Sequence, residues 1–170
     1  KTSPKASIEI RLSKNEASTV ARNFLEQQKL STAEYKTATN FSSGGEAFVF
    51  LEKTQGVEKA NQLMKSEIPV WSWDFRAFKP LQKEEFGVSV DPTSGNVLSF
   101  YHALEDDTEG ANLSQDDARQ IAENFITTVA KTALTNSKSF AASSETRKKS
   151  TEHTLAWTQT NPQTGAGKFR

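Results

Sequence analysis

The stretch that decides the fold is LSKNEASTVARNFL, residues 12–25, because its apolar side chains recur at the spacing of a single helical face. Ser13 stands just before this pattern and Glu16 follows three residues later, which is the arrangement of an N-cap with a capping box. The Ser13 hydroxyl is expected to accept from a backbone N–H that the first helical turn leaves unpaired. The stretch therefore predicts an amphipathic helix that buries one face.

A second stretch, LSQDDARQIAENFI at residues 113–126, repeats this pattern after 101 residues, with six of fourteen positions identical. Ser114 is expected to cap the second helix, and Asp117 takes the place of Glu16 as a shorter, weaker capping-box partner. Convergence is one explanation, because amphipathic helices resemble one another. Duplication is the other, and it is favoured by two matched alanines that amphipathicity does not require.

Alternating apolar and polar residues between and after these helices predict β-strands. In the first half we expect a strand at 33–40, a turn at 41–45, short helices at 46–55 and 57–65, and strands at 70–78, 85–91 and 97–104, with a turn at 91–96. In the second half we expect a helix at 115–130, strands at 137–144 and 153–158, and turns at 147–149 and 161–167.

This order of elements predicts an α+β protein built from two repeats, each with one helix packed on a short antiparallel sheet. Residues 1–107 are expected to form the first repeat, into which two short helices are inserted. Residues 108–170 are expected to form the second, a shortened repeat that lacks its final hairpin.

The composition limits the classes of function. The 21 basic and 21 acidic side chains cancel, which argues against a protein that works on nucleic acid. No apolar run approaches the roughly 20 residues of a membrane span, and no signal-peptide core is present. The absence of Cys excludes disulfides and thiolate chemistry. The eleven Phe and three Trp are expected to supply much of the buried apolar area.

The string VSVDPTSGNVLSF, residues 88–100, contains the pattern V-x-V-D-x-x-x-G-x-V and resembles the hairpin of PepSY-type domains. That resemblance implies small, cystatin-like α+β units. The tandem arrangement, with WSWDFRAFKP at residues 71–80 and the second helix pattern, resembles the extracytoplasmic segment ahead of the membrane core in some bacterial CPBP-family intramembrane proteases. This family covers CAAX-protease and abortive-infection type proteins.

The resemblance does not extend to a catalytic signature. The CPBP signature is a Glu-Glu pair with Arg four residues after the second Glu, whereas no Arg follows Glu84 and Glu85 at that spacing. No protease residue is therefore carried over, and the fragment is not expected to be an enzyme.

The remaining polar residues predict no catalytic, cofactor or metal site. His102 and His153 lack a second His or Cys at ligand spacing, and a zinc site needs three or four ligands. The acidic residues at 105–109 lack the spacing of a calcium loop, and the glycines at 44–45 lack the Lys of a phosphate-binding loop.

One set of residues allows a binding role. Trp71, Trp73 and Phe75 share one face of an alternating strand. Two interpretations stay open: they form the core under the first helix, or they form a platform for a ligand or partner.

The resemblance implies a non-catalytic soluble domain that regulates a membrane-bound CPBP-type endopeptidase or recognises its substrate or a peptide. The alternative is a stand-alone PepSY-type binding or inhibitor module that acts on a soluble peptidase. The expected partners are the parent protease domain and a peptide or envelope protein, with no nucleic acid, no cofactor and no direct membrane insertion. The expected location is extracytoplasmic, on the periplasmic or cell-surface side of a bacterial inner membrane, tethered by a parent chain.

Overall fold

The first helix, α1 (Lys14–Gln27), begins where the capping pattern predicts. The Ser13 hydroxyl accepts from the Glu16 N–H, and the Glu16 carboxylate accepts from the Ser13 N–H at 2.8 Å, so the predicted capping box is confirmed. The Ser114 hydroxyl likewise accepts from the Asp117 N–H at 3.2 Å, which confirms the second predicted cap. The structure, a computed structural model, describes residues 9–66, 68–105, 108–129, 137–146, 149–161 and 165–166.

The chain divides into two units, Lys1–Glu105 and Asp106–Arg170. The first unit contains a four-stranded antiparallel sheet in the order β1-β2-β3-β4. β1 and β4 stand at the two ends of this order, so they are the edges of the sheet among the described residues. The strands are β1 (Lys36–Ser43), β2 (Trp71–Phe78), β3 (Glu85–Val90) and β4 (Val97–Ala103).

The core of the first unit lies between α1 and one face of this sheet. Ala17, Ala21 and Leu25 are the buried residues of α1, and they belong to one cluster with Phe75 of β2 and Val88 of β3. Two alanines on the inner face let the helix lie close to the sheet, while Leu25 and Phe75 supply bulk. The other buried members of this cluster are Ala77, Phe86 and Val90.

Two short helices, α2 (Gly45–Gln55) and α3 (Val57–Ser66), are inserted between β1 and β2. They form a small core of their own from Leu51, Ala60, Leu63 and Val70. Gly56 separates the helices with φ of 77°, a left-handed conformation that glycine adopts without strain. Both predicted short helices are confirmed.

The second unit contains a helix and three strands in the order β5-β6-β7. Within its described part, α4 has no buried residue, and Ile121 is 60% exposed. The elements are α4 (Gln115–Thr128), β5 (Ser137–Thr146), β6 (Thr151–Asn161) and β7 (Gly165–Ala166). The α+β class is confirmed by both units, and the descent of the units from one repeat stays a prediction.

The first strand differs most from the expectation, because β1 extends to Ser43 and the predicted turn at 41–45 is wrong. Phe41 is paired with Trp73 in the sheet, and their ring centroids lie 4.9 Å apart. This cross-strand aromatic contact favours extended backbone beyond the expected end of the strand. The strand ends before Gly44, whose N–H donates to the Val70 carbonyl at 2.6 Å.

The other boundaries shift by smaller amounts. The turn after β3 is confirmed, with Gly95 at φ of 76° and the Asp91 carboxylate accepting from the N–H groups of Thr93 and Ser94. The strand predicted at 153–158 is longer, since β6 spans Thr151–Asn161. The turns predicted at 147–149 and 161–167 lie largely outside the described residues.

Candidate functional site

The three aromatic residues that share a strand face do not share one environment. Phe75 is 2% exposed and belongs to the core under α1. Trp73 is partly buried against the same core, and its indole Nε1 donates to the Leu12 carbonyl at 2.9 Å. Trp71 is partly buried against the small core of the inserted helices. Phe75 therefore presents no surface to a ligand, and only the two tryptophans reach solvent.

Phe41 joins these two tryptophans into an aromatic cluster. Its ring is stacked on Trp71 at a centroid distance of 6.0 Å and meets Trp73 edge to face. Sequence reasoning placed Phe41 in a turn and missed this contact. The alternation of Thr37, Thr39 and Phe41 continues beyond the expected end of the strand and indicates a longer β1.

The opposite face of the sheet is polar and carries a half-buried carboxylate. Asp74 Oδ1 accepts from the hydroxyls of Ser72 and Ser89, each at 2.8 Å. Partial burial alone would raise the pKa of Asp74, but hydroxyl donation from Ser42, Ser72 and Ser89 outweighs it and holds this pKa below its usual value. The cluster is an internally satisfied network that favours the charged carboxylate.

The Asp74 network predicts a pH dependence of stability. Because the pKa of Asp74 is lower in the folded chain than the unfolded value of about 3.9, the charged form stabilises the fold above that value. This stabilisation is lost as the pH falls through the folded pKa. We expect Asp74→Asn to be less stable than the native chain at pH 7 and the difference to vanish in strong acid, measured by urea unfolding across pH.

The matched control keeps the carboxylate and removes its donors. Ser72→Ala combined with Ser89→Ala should raise the pKa of Asp74 toward its unfolded value. The free energy of unfolding of this variant should then fall less between neutral pH and strong acid than that of the native chain. Parallel pH profiles for the native chain and Asp74→Asn would contradict the assignment.

A second polar group on this face is also paired internally. The Arg76 guanidinium is hydrogen-bonded to Glu85 Oε2, with Nε at 2.8 Å, and the Tyr101 hydroxyl donates to Glu85 Oε1 at 2.8 Å. The hydrogen bonds from Arg76 and then Tyr101 lower the pKa of Glu85. The Tyr101 ring lies over Gly87, where a Cβ atom would overlap it. These contacts link β2, β3 and β4 through side chains whose polar groups are hydrogen-bonded to one another.

Both histidines make hydrogen bonds within their own units. His102 Nε2 lies 3.3 Å from Glu84 Oε1, and the His102 ring packs on Phe86 at 4.3 Å between centroids. His153 is within hydrogen-bond distance of the Ser144 hydroxyl and the Leu113 carbonyl, at 2.8 and 3.0 Å. These contacts give each ring a structural role.

Metal-ligand clusters and membrane-spanning helices are both absent from the part of the chain that the structure describes. No group of three or more His, Asp or Glu side chains there could hold a metal ion. None of the helices in that part is long and apolar enough to cross a membrane.

A groove lies between α1 and the edge strand β1. Its volume is about 380 Å³, and its lining is polar. The side chain of Ala38 points to the opposite sheet face by strand alternation, so Ala38 contributes main chain to the groove. The lining residues are Lys14, Asn15, Ser18, Thr19 and Arg22 of α1 with Thr37, Ala38 and Thr39 of β1.

Two hydrogen bonds hold the helix against the strand along this groove. The hydroxyls of Ser18 and Thr39 are 2.8 Å apart, and Arg22 Nη2 donates to Thr37 Oγ1 at 2.9 Å. Four residues of a helix rise about 6 Å, and two residues of a strand rise about 6.7 Å. Every fourth residue of α1 can therefore contact every second residue of β1. Sequence reasoning missed these residues, although the spacing of Lys14, Ser18 and Arg22 by four was a signal for a second helical face.

The comparisons with known proteins bear on the part of the chain that follows this groove. Neither curated proteins nor solved structures gave a match. A family model described as "YcdB, YcdC repeated domain" matches residues 58–164, which begin within α3 and extend through both units into the segment after β6. The matched range covers well over half of the sequence, and the chain therefore belongs to the family of the YcdB, YcdC repeated domain.

Proposed function

We propose that this chain is a non-catalytic recognition domain that binds an extended polypeptide by adding it as a strand to the outer edge of β1. The observation that carries the proposal is the open edge itself: β1 pairs with β2 on one side, and the described residues supply no strand on the other. In an antiparallel sheet every second residue of an edge strand directs its N–H and C=O outward. Such an edge is a template for main-chain hydrogen bonds with an added strand.

The composition of β1 favours this use. Edge strands are commonly protected by short length, proline, bulges or charged residues. β1 has eight residues, no proline and an unbroken register with β2, and its one charged residue, Lys36, stands at its start. The groove along α1 adds space for the side chains of a bound segment on one face. Main-chain pairing would supply affinity, and the groove would supply selectivity for particular side chains.

The biological setting is a further part of the proposal. The PepSY-like resemblance favours a domain that regulates a peptidase or presents a polypeptide to it on the extracytoplasmic side of a bacterial membrane. In the first form the peptidase is a membrane-bound, CPBP-type parent chain; in the second it is a separate soluble enzyme. The link to a peptidase rests on the resemblance of residues 71–80, 88–100 and 113–126 alone.

Strand addition is tested with the full chain and an unstructured polypeptide. An array of overlapping peptides from reduced, carboxymethylated α-lactalbumin would provide binders, to be resynthesised with a fluorophore and measured by anisotropy. We expect binding to slow amide hydrogen exchange in β1, while the other edge strand, β4, serves as the internal control. Absence of binding, or protection of β4 alone, would overturn the proposal.

The matched probe controls use N-methylation. A bound peptide whose backbone nitrogens are methylated at every second residue cannot donate hydrogen bonds from the side on which those nitrogens lie. Methylation of the intervening residues affects only the other side of the peptide and leaves the pairing with β1 intact. Each lost hydrogen bond is worth about 0.5–1.5 kcal/mol, so two losses should weaken binding by roughly 5- to 150-fold. Equal weakening by both methylation patterns would contradict strand addition.

The absence of catalysis and the setting are tested separately. Peptides incubated with the chain should keep their intact mass; turnover abolished by a single carboxylate or His substitution would establish an enzyme instead. The gene sequence beyond Arg170 distinguishes the two settings. Hydrophobic spans there would support the membrane-bound parent, and a stop codon or a soluble peptidase would overturn that form in favour of the separate module.

A further inference from the structure

We propose that Arg22, supported by Lys14, binds an acidic side chain of the strand that adds to β1. This inference rests on the proposed function and names the chemistry of the bound segment. The predicted position of the acidic residue is the one that faces Thr37 across the new strand pair. The partner is therefore an extended polypeptide with an Asp or Glu on its helix-facing side.

Arg22 is held in place at the edge of the sheet. Its Nη2 donates to Thr37 Oγ1 at 2.9 Å, and its Cζ lies 5.8 Å from the centroid of the Phe75 ring. These two contacts limit the orientation of a long side chain that is otherwise exposed. A guanidinium has five N–H donors in a planar fork that matches a carboxylate. The contact to Thr37 occupies one donor group and leaves others for a ligand.

The charge of Arg22 has no carboxylate partner among the described residues. The other arginines of that part of the chain are each paired: Arg11 with Glu9, Arg76 with Glu85, and Arg119 with Glu123. The groove residues include two cations, Arg22 and Lys14, and no acidic side chain. A bound acidic residue would supply the missing opposite charge where water is partly excluded.

The geometry assigns a position to that acidic residue. An added strand would lie about 4.8 Å from β1, and its alternate side chains would project toward α1. The side chain opposite Thr37 would meet Arg22, and the one opposite Thr39 would meet Ser18, because these pairs are already in contact. Lys14 lies one helical turn before Ser18, so it attracts a second acidic residue further along the strand.

The test uses short peptides, acetylated and amidated, that alternate Val and Thr around one central Glu, Gln or Lys. We expect the full chain to bind the Glu peptide about tenfold more tightly than the Gln peptide, and the Lys peptide most weakly. Arg22→Gln should abolish the preference for Glu, and Arg22→Lys should keep only part of it. The preference should also fall as NaCl is raised.

The control variant is Arg11→Gln, an exposed arginine of the same unit whose loss should leave the preference intact. Equal binding of the Glu and Gln peptides, with β1 still protected from exchange, would overturn the charge assignment and leave strand addition standing. Loss of all binding and protection in the native chain would instead be a failure of the proposed function. One further outcome is that a Gln peptide with a free C-terminal carboxylate binds through Arg22 and the amidated Glu peptide does not bind. The site would then recognise a chain terminus, and the side-chain assignment would be overturned.

Discussion

Replacement of Phe75 by Ala is expected to lower the free energy of unfolding by about 3–5 kcal/mol. Phe75 is 2% exposed and lies in the middle of β2, between Thr39 on one neighbouring strand and Val88 on the other. Truncation to Ala would remove one of the two buried Phe rings of this core and leave a cavity that α1 cannot fill, because the helix presents small alanines to the sheet. The loss would be a large part of the total stability of a domain of this size.

Phe50→Ala is the matched control for this substitution. Phe50 lies on α2 and is 59% exposed, so the same change of side chain should shift stability by about 0.5 kcal/mol or less. Urea unfolding followed by far-UV circular dichroism measures both variants. Similar losses for Phe75→Ala and Phe50→Ala would place Phe75 outside the core.

Replacement of Trp73 by Ala is expected to cost about 3 kcal/mol, the lower end for a large aromatic residue, because the side chain is only partly buried. Two interactions are lost together. The indole ring packs against the core and against Phe41, and its Nε1 donates to the Leu12 carbonyl, which ties β2 to the segment before α1. A residue 61 positions away in sequence is thereby held at the start of the helix.

Trp73→Phe separates these two interactions. A Phe ring keeps most of the packing and loses the hydrogen bond, so we expect a cost of about 1 kcal/mol. In a chain whose other tryptophans are replaced by Phe, Trp73 fluorescence should be only partly accessible to acrylamide. Strong quenching together with a loss below about 1 kcal/mol for Trp73→Ala would favour a ligand platform over a structural residue.

The proposed groove and the family match lie in different parts of the chain. α1 and β1 precede residue 58, where the matched range begins, whereas β2, β3 and β4 lie within it. The sheet that the matched range builds thus receives its edge strand and its helix from the preceding segment. Recognition through β1 would therefore depend on residues that precede the matched range.

Local interactions determined the elements that sequence analysis predicted well. Ser13 with Glu16 and Ser114 with Asp117 mark the helix starts because an N-cap bond is formed within three residues of chain. The strands at residues 71–78 and 85–90 follow from alternation, since one face of each meets the core and the other carries mostly polar residues. The Asp91–Asn96 turn follows from side-chain bonds to nearby N–H groups.

Long-range contacts decided what the sequence left open. Phe41 extends β1 beyond its expected end because its ring packs on Trp71 and Trp73, some thirty residues later in the chain. The same strand pairing makes β1 an edge and brings Thr37 to Arg22. Periodicity along one segment states which residues share a face, but it carries no information about which strand lies at the edge of a sheet. Helix formation and alternation were therefore readable from the sequence. The groove forms only when distant segments pack together, and so does the position of Arg22, which has no carboxylate partner among the described residues.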